Sequence, residues 1–515
     1  MTFLFLNPPV VKPCEPPPGL ARIVGTLRGE GIRCKVIDAN AEGLLWLMRR
    51  APSPCGARSA RALAGLGKNL GLMRNGGAFG SIGRYIKTVL DIDHVLELAG
   101  RRAGYTVGLA DLRHDALSPL RSSDLVHAAD HPEENVFYPF LEERILHALD
   151  EVKPDVFGVS LSFLSQALCA FASIGIVRRH APGLRIVLGG SLVTSWARGP
   201  GTASAFSGLV DEVVEGPGEA RLLELAGLGK GSVPLRYDFS PFNDEANLSP
   251  RPVIPVSCST GCYWNRCSFC PERAEGHRYR PNAPQEVLGQ VDVLARGRET
   301  PLVHFTDNAM SPSLLEHVAR SGRTFSWYGF ARFTPHLADA DFCRALSRSG
   351  CVMLQLGLES GDQDVLDSLD KGISLQTAAR SLVALKESGI GTYVYLLFGT
   401  PQEDEDSARK TLAFIEAHAH LIDFLNLSIF NLPRGSREAL ELETYDFFEG
   451  DLSLYTGFVH PKGWDRRRVR RFLDREFRRN EAVGKILRNS PPVFTSNHAP
   501  FFLMERRRQD LRKGA

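Results

Sequence analysis

Four of the ten cysteines lie within the stretch CSTGCYWNRCSFC, Cys258 to Cys270, directly after the apolar run Val253 to Ser257. Ten cysteines in 515 residues are too sparse for a disulfide framework, and thiols crowded in this way point instead to metal held at the end of a strand. Cys262, Cys267 and Cys270 are separated by four and then two residues. Three thiolates on so compact a loop suit three irons of a cubane 4Fe-4S cluster, with the fourth iron open to a ligand. The competing reading is a structural zinc site of four cysteines that includes Cys258. Zinc knuckles usually place a longer loop between their pairs, and a closed site would waste the strand end, so Cys258 is read as a thiol outside the ligand set.

The chain around this loop alternates between short apolar runs and helical patterns. Strands are expected at Thr2 to Asn7, Cys34 to Asp38, Asp155 to Leu161, Arg185 to Leu188 and Glu212 to Glu215, with helices at Gly19 to Gly31, Pro139 to Glu151, Ser165 to His180 and from Glu219. This is the pattern of an α/β, doubly wound parallel sheet of the Rossmann-like kind, occupying residues 1–234. A Gly-, Arg- and Ala-rich stretch at about 51–135, helical from Ile82 to Leu98, reads as an insertion. A Pro-containing linker follows at 235–252. A second series has strands at Val253 to Ser257, Val303 to Thr306, Ser326 to Ala331, Met353 to Leu358, Thr392 to Phe398 and Phe424 to Ile429, each separated by helical stretches. Six β/α units over 253–439 predict a partial TIM barrel, with its functional face at the strand C-termini. Residues 440–515 are expected to be a helical C-terminal region. Its Arg-rich run, Arg466 to Arg479, is interspersed with acids and reads as a solvated helix face.

Lys plus Arg number 61 against 59 Asp plus Glu, so the net charge of +2 gives no electrostatic reason to expect nucleic acid or a membrane surface as partner. The opening MTFLFLNPPVV lacks the basic leader of a signal peptide, and no run approaches 18 uninterrupted apolar residues. A cytoplasmic protein is expected.

The loop GCYWNRCSFC resembles the cluster-binding loop of radical S-adenosylmethionine (SAM) enzymes, although four residues stand between its first two cysteines where the commonest family pattern has three. The resemblance implies that Cys262, Cys267 and Cys270 bind the cluster and that Phe269 packs beside the SAM adenine. HFTDNAMSP, His304 to Pro312, resembles the second-strand region that contacts the methionyl group, which makes Asp307 the candidate for the SAM ammonium. LGLESG, Leu356 to Gly361, resembles the fourth-strand ribose contact and nominates Glu359, and YLLFGTPQED, Tyr395 to Asp404, looks like the later turn that lines the adenine pocket.

Residues 2–225, the insertion excepted, resemble the cobalamin-binding domain that precedes the barrel in one large radical SAM class. The matching pieces are FLFLNPP, PPGLARIVGTLRGEGIRCKVIDAN, PDVFGVSLSF, RIVLGGSLVT and DEVVEGPGE. At the ligand edge of this sheet fall Asn7, Asp38, Ser160, Ser162, Gly189, Gly190, Ser191, Glu215 and Gly216, and all but Asp38 are the expected cobalamin contacts. No Asp-x-His-x-x-Gly arrangement occurs, the nearest being DIDHVLELAG at Asp91 to Gly100, so no histidine ligand to cobalt is expected from that motif.

The resemblance implies a cobalamin-dependent radical SAM methyltransferase acting at an unactivated carbon of a small-molecule or natural-product-like substrate. It further implies an electron donor such as flavodoxin or ferredoxin. Radical ring contraction, cyclisation or another rearrangement is the alternative, and a non-catalytic cobalamin- or metal-binding regulator a more distant one. Trp327, Tyr328 and Arg332, at the end of the third barrel strand, are expected either to line a substrate pocket or to belong to the core. Asn497 and His498, in the tail FTSNHAPFF, either reach the barrel mouth or pack as part of a buried terminus.

Overall fold

The computed structural model describes residues 1–513 except Cys55, 199–204, 230–232, Thr324 and 494–497. Two compact units result. The first comprises Met1–Val253, Glu449–Leu454 and Pro492–Asn497, and the second Ile254–Phe448, Tyr455–Pro491 and His498–Ala515.

The first unit is built on strands β1 (Thr2–Asn7), β2 (Arg33–Asp38), β5 (Val156–Ser160), β6 (Arg185–Gly189) and β7 (Glu212–Val214), with a separate hairpin of β3 (Tyr105–Val107) and β4 (Leu112–His114). Its five-stranded sheet has the order β2-β1-β5-β6-β7, parallel throughout. All six residues of β1 are buried, which is why TFLFLN reads as a continuous apolar run rather than an alternating one. The chain steps outward from β1 to β2 and then returns to the other side of β1 at β5. The crevice outside the C-terminal ends of β1 and β5 is therefore the switch point at which open α/β sheets take ligands. Residues 51–135 form helices Ala57–Arg74, Ile82–Gly100 and Ser122–Asp130 around the hairpin, and Tyr85, Val89, Ile92 and Leu125 bury them in this unit. Helix Ala167–His180 is buried from Ala167 through Val177, as an element that is apolar all round must be.

The second unit contains six parallel strands whose spatial order follows the chain: β8 (Val253–Val256), β11 (Leu302–Phe305), β12 (Ser326–Ala331), β13 (Cys351–Glu359), β14 (Gly391–Phe398) and β15 (Phe424–Ile429). Sequential addition of β/α units gives a partial (β/α)6 barrel. Ser311, Asp339, Ser374 and Asp404 each accept a backbone N–H of the following helix, so the loops at the strand C-termini end in side-chain caps. Asp404 gains most: that bond, with Lys462 beside it, holds its carboxyl down at about 2.

Beyond residue 440 the chain is not purely helical. Strands β17 (Thr444–Tyr445) and β18 (Tyr455–Phe458) join β16 (Leu432–Pro433) in a small sheet, and Gly457 leaves room for the Tyr445 ring that lies across it. Helix Arg466–Arg475 turns Val469, Phe472 and Leu473 inward and leaves Arg467, Arg468, Arg470, Arg471 and Arg475 exposed.

The last helix, Ala499–Lys513, closes the N-terminal end of the barrel, opposite the strand C-termini. Ala499, Phe502 and Leu503 pack with Leu302, Val352 and Phe424 from the starts of three strands. The His498 ring lies 4.4 Å from that of Tyr393 and 4.6 Å from that of Phe424. Arg506 donates to the carbonyls of Cys351 at 2.6 Å and Gly389 at 2.9 Å. His498 is thus part of a buried terminus, while Asn497 lies outside the described residues. No described helix is long and apolar enough to cross a membrane.

Candidate cofactor site

The cysteine loop leaves β8 at its C-terminal end and is fastened there by the neighbouring strand. Thr306, just past β11, donates its N–H to the Val256 carbonyl at 2.9 Å. One residue further, Asp307 takes the N–H of Cys258 at 2.9 Å on one carboxylate oxygen and the Ser259 hydroxyl on the other. Asp307 is 3% exposed, and burial raises its pKa against the pull of these two bonds. Both of its oxygens are thus engaged at the stem of the loop, whereas the family resemblance makes it the candidate for the SAM ammonium. The short pair β9 (Ser259–Thr260) and β10 (Arg280–Pro281), with Asn282 donating to the Cys258 carbonyl, clasps the two ends of the loop together. Cys258 is buried among these contacts, and burial followed by the nearby Asp307 charge drives its thiol well above the ordinary range.

Inside the loop, Cys267 is buried and Cys262 and Cys270 are partly so. Burial lifts the Cys270 thiol to about 11, opposed by the N–H groups of Glu272 and Arg273 at the start of helix Pro271–Ala274. Burial likewise raises Cys267, opposed by the cations Lys371 and Arg332. Between the first two cysteines Asn265 takes a left-handed conformation, φ +43°, and Trp264 turns onto another segment. That segment, Leu369–Gly372, presents three successive carbonyls: Leu369 accepts from the Ser268 N–H at 3.0 Å, Asp370 from the Trp264 indole at 2.8 Å, and Lys371 from the Arg332 guanidinium. Gly372, at φ +64°, has no β-carbon to obstruct the indole.

The third barrel strand therefore serves two purposes. Trp327 and Tyr328 are fully buried core residues. Arg332, beyond the strand end, reaches the cysteine loop, with Nη1 3.7 Å from the Cys267 sulfur and the guanidinium carbon 4.6 Å from the Trp264 ring centre. Among the described residues no three His, Cys, Asp or Glu side chains are gathered tightly enough to hold a single ion. Thiols that bind separate irons of a cubane are necessarily spread wider than ligands of one ion. Three thiols on one loop, with N–H donors and cations directed at the sulfurs, fit an iron–sulfur cluster by donor chemistry.

Glu359 sits at the end of β13, where the ladder with β14 slips between Gly357 and Glu359 and φ becomes +70°. Lys371 Nζ lies 2.7 Å from its carboxylate, the two side chains being 7% and 12% exposed. The same ammonium stands 5.4 Å from the ring centre of Phe269. Phe269, Glu359, Lys371 and Cys267 are thus brought together from elements far apart in the chain.

The GTPQED turn after β14 is organised by Glu403, which accepts the Gly399 N–H and, at 2.9 Å, the Trp464 indole N–H. Its other oxygen finds no hydrogen-bond partner among the described residues, and burial pushes the carboxyl up to about 8. His460 donates to the neighbouring Thr400 carbonyl at 2.9 Å.

At the C-terminal edge of the first sheet, Asn7 is buried between Asp38, to which it donates at 2.8 Å, and Gln166, from which it accepts at 3.2 Å. Asp38 is partly buried, and the loss of water around it raises its carboxyl to about 6. Gln166 also accepts the N–H groups of Ser162 and Phe163 at 3.1 Å. Ser191 donates to the Ser162 carbonyl at 3.2 Å, and Thr194 accepts the Gly216 N–H at 2.9 Å. Gly190 adopts φ +122°, and a β-carbon there would lie 2.3 Å from the Leu161 carbonyl oxygen. Ser160 and Gly189 are register partners at the ends of β5 and β6, and Glu215 is paired with Arg198 at 3.0 Å. Exposed Ser191 and the exposed apolar pair Phe163 and Leu164 crown this edge.

Gln166, Thr194, Trp264, Ser259 and Lys371 escaped the sequence reading. Their partners lie elsewhere in the chain, and a lone Gln, Thr or Lys carries no motif.

Residues 256–415 match the Radical SAM superfamily. An uncharacterised methyltransferase of Pyrococcus horikoshii is 22% identical over 331 residues, covering 57% of this chain and 70% of that one. The anaerobic magnesium-protoporphyrin IX monomethyl ester cyclase of Rubrivivax gelatinosus is 24% identical over 172 residues, 32% of this chain and 30% of the cyclase. In fold, the chain is similar to the radical S-adenosylmethionine methyltransferase TsrM of Kitasatospora setae, solved with cobalamin and a 4Fe-4S cluster bound. That likeness has a TM-score of 0.52 at 16% identity and covers 86% of this chain and 77% of TsrM.

Proposed function

We propose that this chain, a radical SAM enzyme whose radical SAM domain spans residues 256–415, is a cobalamin-dependent methyltransferase that acts on an unactivated carbon of a small molecule. The observation that carries the reading is the cysteine loop itself. Its three thiols stand on a loop at the C-terminal end of a barrel strand, and contacts made elsewhere in the barrel hold that loop at Cys258, Trp264 and Cys267. When bound, the cluster and SAM supply a 5′-deoxyadenosyl radical able to take a hydrogen atom from an unreactive carbon, and cobalamin supplies the methyl group.

In this reading Cys262, Cys267 and Cys270 hold the cluster. Asp307 keeps the stem of their loop on β11, and Phe269 and Glu359 face SAM, with Lys371 balancing the Glu359 charge in a site largely shielded from water. Shielding of this kind protects a reactive intermediate from stray hydrogen donors. Cobalamin is assigned to the C-terminal edge of the first sheet. Support comes from the switch point between β1 and β5, the exposed Phe163, Leu164 and Ser191 beside it, and the likeness to TsrM. The small residues Ser160, Ser162, Gly189, Gly190 and Gly216 leave backbone there close to the surface, and Asn7 and Glu215 flank them. A reduced flavodoxin or ferredoxin is the proposed electron source.

The similarity to a cyclase supports a second reading, ring formation or rearrangement without net methyl transfer. Anaerobic incubation of the reconstituted, reduced protein with SAM and cobalamin separates the two by mass spectrometry. Methyl transfer yields both 5′-deoxyadenosine and S-adenosylhomocysteine, whereas 5′-deoxyadenosine alone favours rearrangement. Neither product from a protein with an intact four-iron cluster and candidate substrates present would overturn the reading.

A further inference from the structure

The guanidinium of Arg332 is held on three sides. It lies over the Trp264 ring with its carbon 4.6 Å from the ring centre, donates through Nη2 to the Lys371 carbonyl, and directs Nη1 to the sulfur of Cys267 at 3.7 Å. Arg332 is 7% exposed and no carboxylate is paired with it among the described ion pairs. A buried cation without a carboxylate is costly unless another negative group compensates it. The groups that face it here are the Trp264 π-face, a backbone carbonyl, the Tyr263 phenol and the Cys267 sulfur. Of these, the Cys267 sulfur is the one that becomes anionic on binding an iron.

We propose that Arg332 is a positioning residue for the cluster, setting its reduction potential through a charge-assisted N–H···S bond to Cys267. The inference rests on the assignment of Cys267 as a cluster ligand. Hydrogen bonds and positive charge at a ligating sulfur stabilise the more negative, reduced cluster and so raise its potential. Arginine suits the task because it stays protonated in any surroundings and its planar fork can bridge two acceptors while stacked on a ring. Lysine at this position keeps the charge and loses the fork. Glutamine loses the charge.

The contacts also explain the wide spacing of the first two cysteines. With four residues between Cys262 and Cys267, Trp264 has the reach to leave the loop, give its N–H to Asp370 and present its face to Arg332. The wider loop thereby forms the shelf on which the guanidinium lies.

The test uses the full chain, reconstituted anaerobically, as wild type, Arg332→Gln and Arg332→Lys. Iron and sulfide content is measured first, then the midpoint potential by redox titration monitored by electron paramagnetic resonance, and the exchangeable-proton coupling of the reduced cluster in H2O and D2O. The expected result is a lower midpoint potential and a lost proton coupling in Arg332→Gln, with a smaller fall in potential in Arg332→Lys. Wild-type potential and coupling in whichever variant retains four irons would overturn the proposal. If both variants lose iron while their thermal unfolding is unchanged, the guanidinium is needed to present Cys267, which supports it. If both fail to fold, Arg332 is a structural residue and the proposal falls. A wild-type chain that takes up no four-iron cluster would instead overturn the assignment of the cysteines.

Discussion

The indole of Trp264 lies against the backbone of Gly372, so closely that a β-carbon on Gly372 would stand 2.0 Å from Cζ2 of the ring. Gly372 also adopts φ +64°, where any other residue is strained. Gly372→Ala therefore imposes about 1–2 kcal/mol of backbone strain and expels the indole from its shelf. The expected outcome is a folded protein with a lower thermal midpoint and reduced iron uptake. Trp264→Ala should lose iron to a similar degree with less effect on the midpoint, because the backbone at Gly372 is then unstrained. Equal iron content in both variants and wild type would show that the shelf is dispensable.

Asp307 receives the Cys258 N–H and the Ser259 hydroxyl in a buried place. In Asp307→Ala both groups lose their acceptor, so a buried N–H and a buried hydroxyl are left without a partner at the stem. A loss of about 1–3 kcal/mol is expected from leaving such buried groups unpaired, together with a loosened stem and a lower iron content after reconstitution. SAM binding, followed by equilibrium dialysis on the fraction that retains the cluster, separates this anchoring role from a direct contact. Anchoring alone predicts near-normal affinity in that fraction.

Lys371 and Glu359 form an ion pair with little exposure on either side. Breaking such a pair from one side leaves a buried charge and costs about 3–5 kcal/mol. Lys371→Met should therefore destabilise the protein by roughly that amount in urea. The double variant Lys371→Met, Glu359→Gln should recover most of it, because no charge remains uncompensated. A double variant as unstable as Lys371→Met would mean that the lysine contributes through Phe269 and Cys267 rather than through Glu359.

The fold was legible because its evidence is local. Apolar runs such as TFLFLN and YVYLLF mark buried strands wherever they occur, and the alternation with helical stretches determines the parallel topology. The cysteines were legible for the same reason, all lying on one loop. What could not be read is the wiring that holds them. Cys267 meets Arg332 across 65 residues, and Trp264 meets Asp370 across 106, pairings that depend on which barrel strands become neighbours. Asn7 was read as a ligand contact because it ends a strand, and its hydrogen-bond partners Asp38 and Gln166, the second of these 159 residues away, were not legible. The position of His498 was equally invisible. A short aromatic tail fits either end of a barrel, and the stacking surfaces of Tyr393 and Phe424 at the strand starts decide which.

Glu403 gives a pH signature that belongs to the barrel alone. Burial raises its carboxyl from the ordinary 4.5 to about 8, against the pull of the Gly399 and Trp464 N–H groups. The folded protein thus holds a proton that the unfolded chain has released between these two values. A raised carboxyl stabilises the fold fully below pH 4.5, and that contribution is lost as pH rises through 8, amounting to a few kcal/mol on the order of 1.4 per unit. Wild type should therefore be less stable at pH 8.5 than at pH 5.5 to a greater extent than Glu403→Gln, whose amide is neutral throughout. Urea unfolding of both proteins at the two pH values isolates the residue, since every other titrating group is common to them. Parallel curves would mean that Glu403 is ionised in the folded barrel, and that the Gly399 and Trp464 bonds compensate a buried charge.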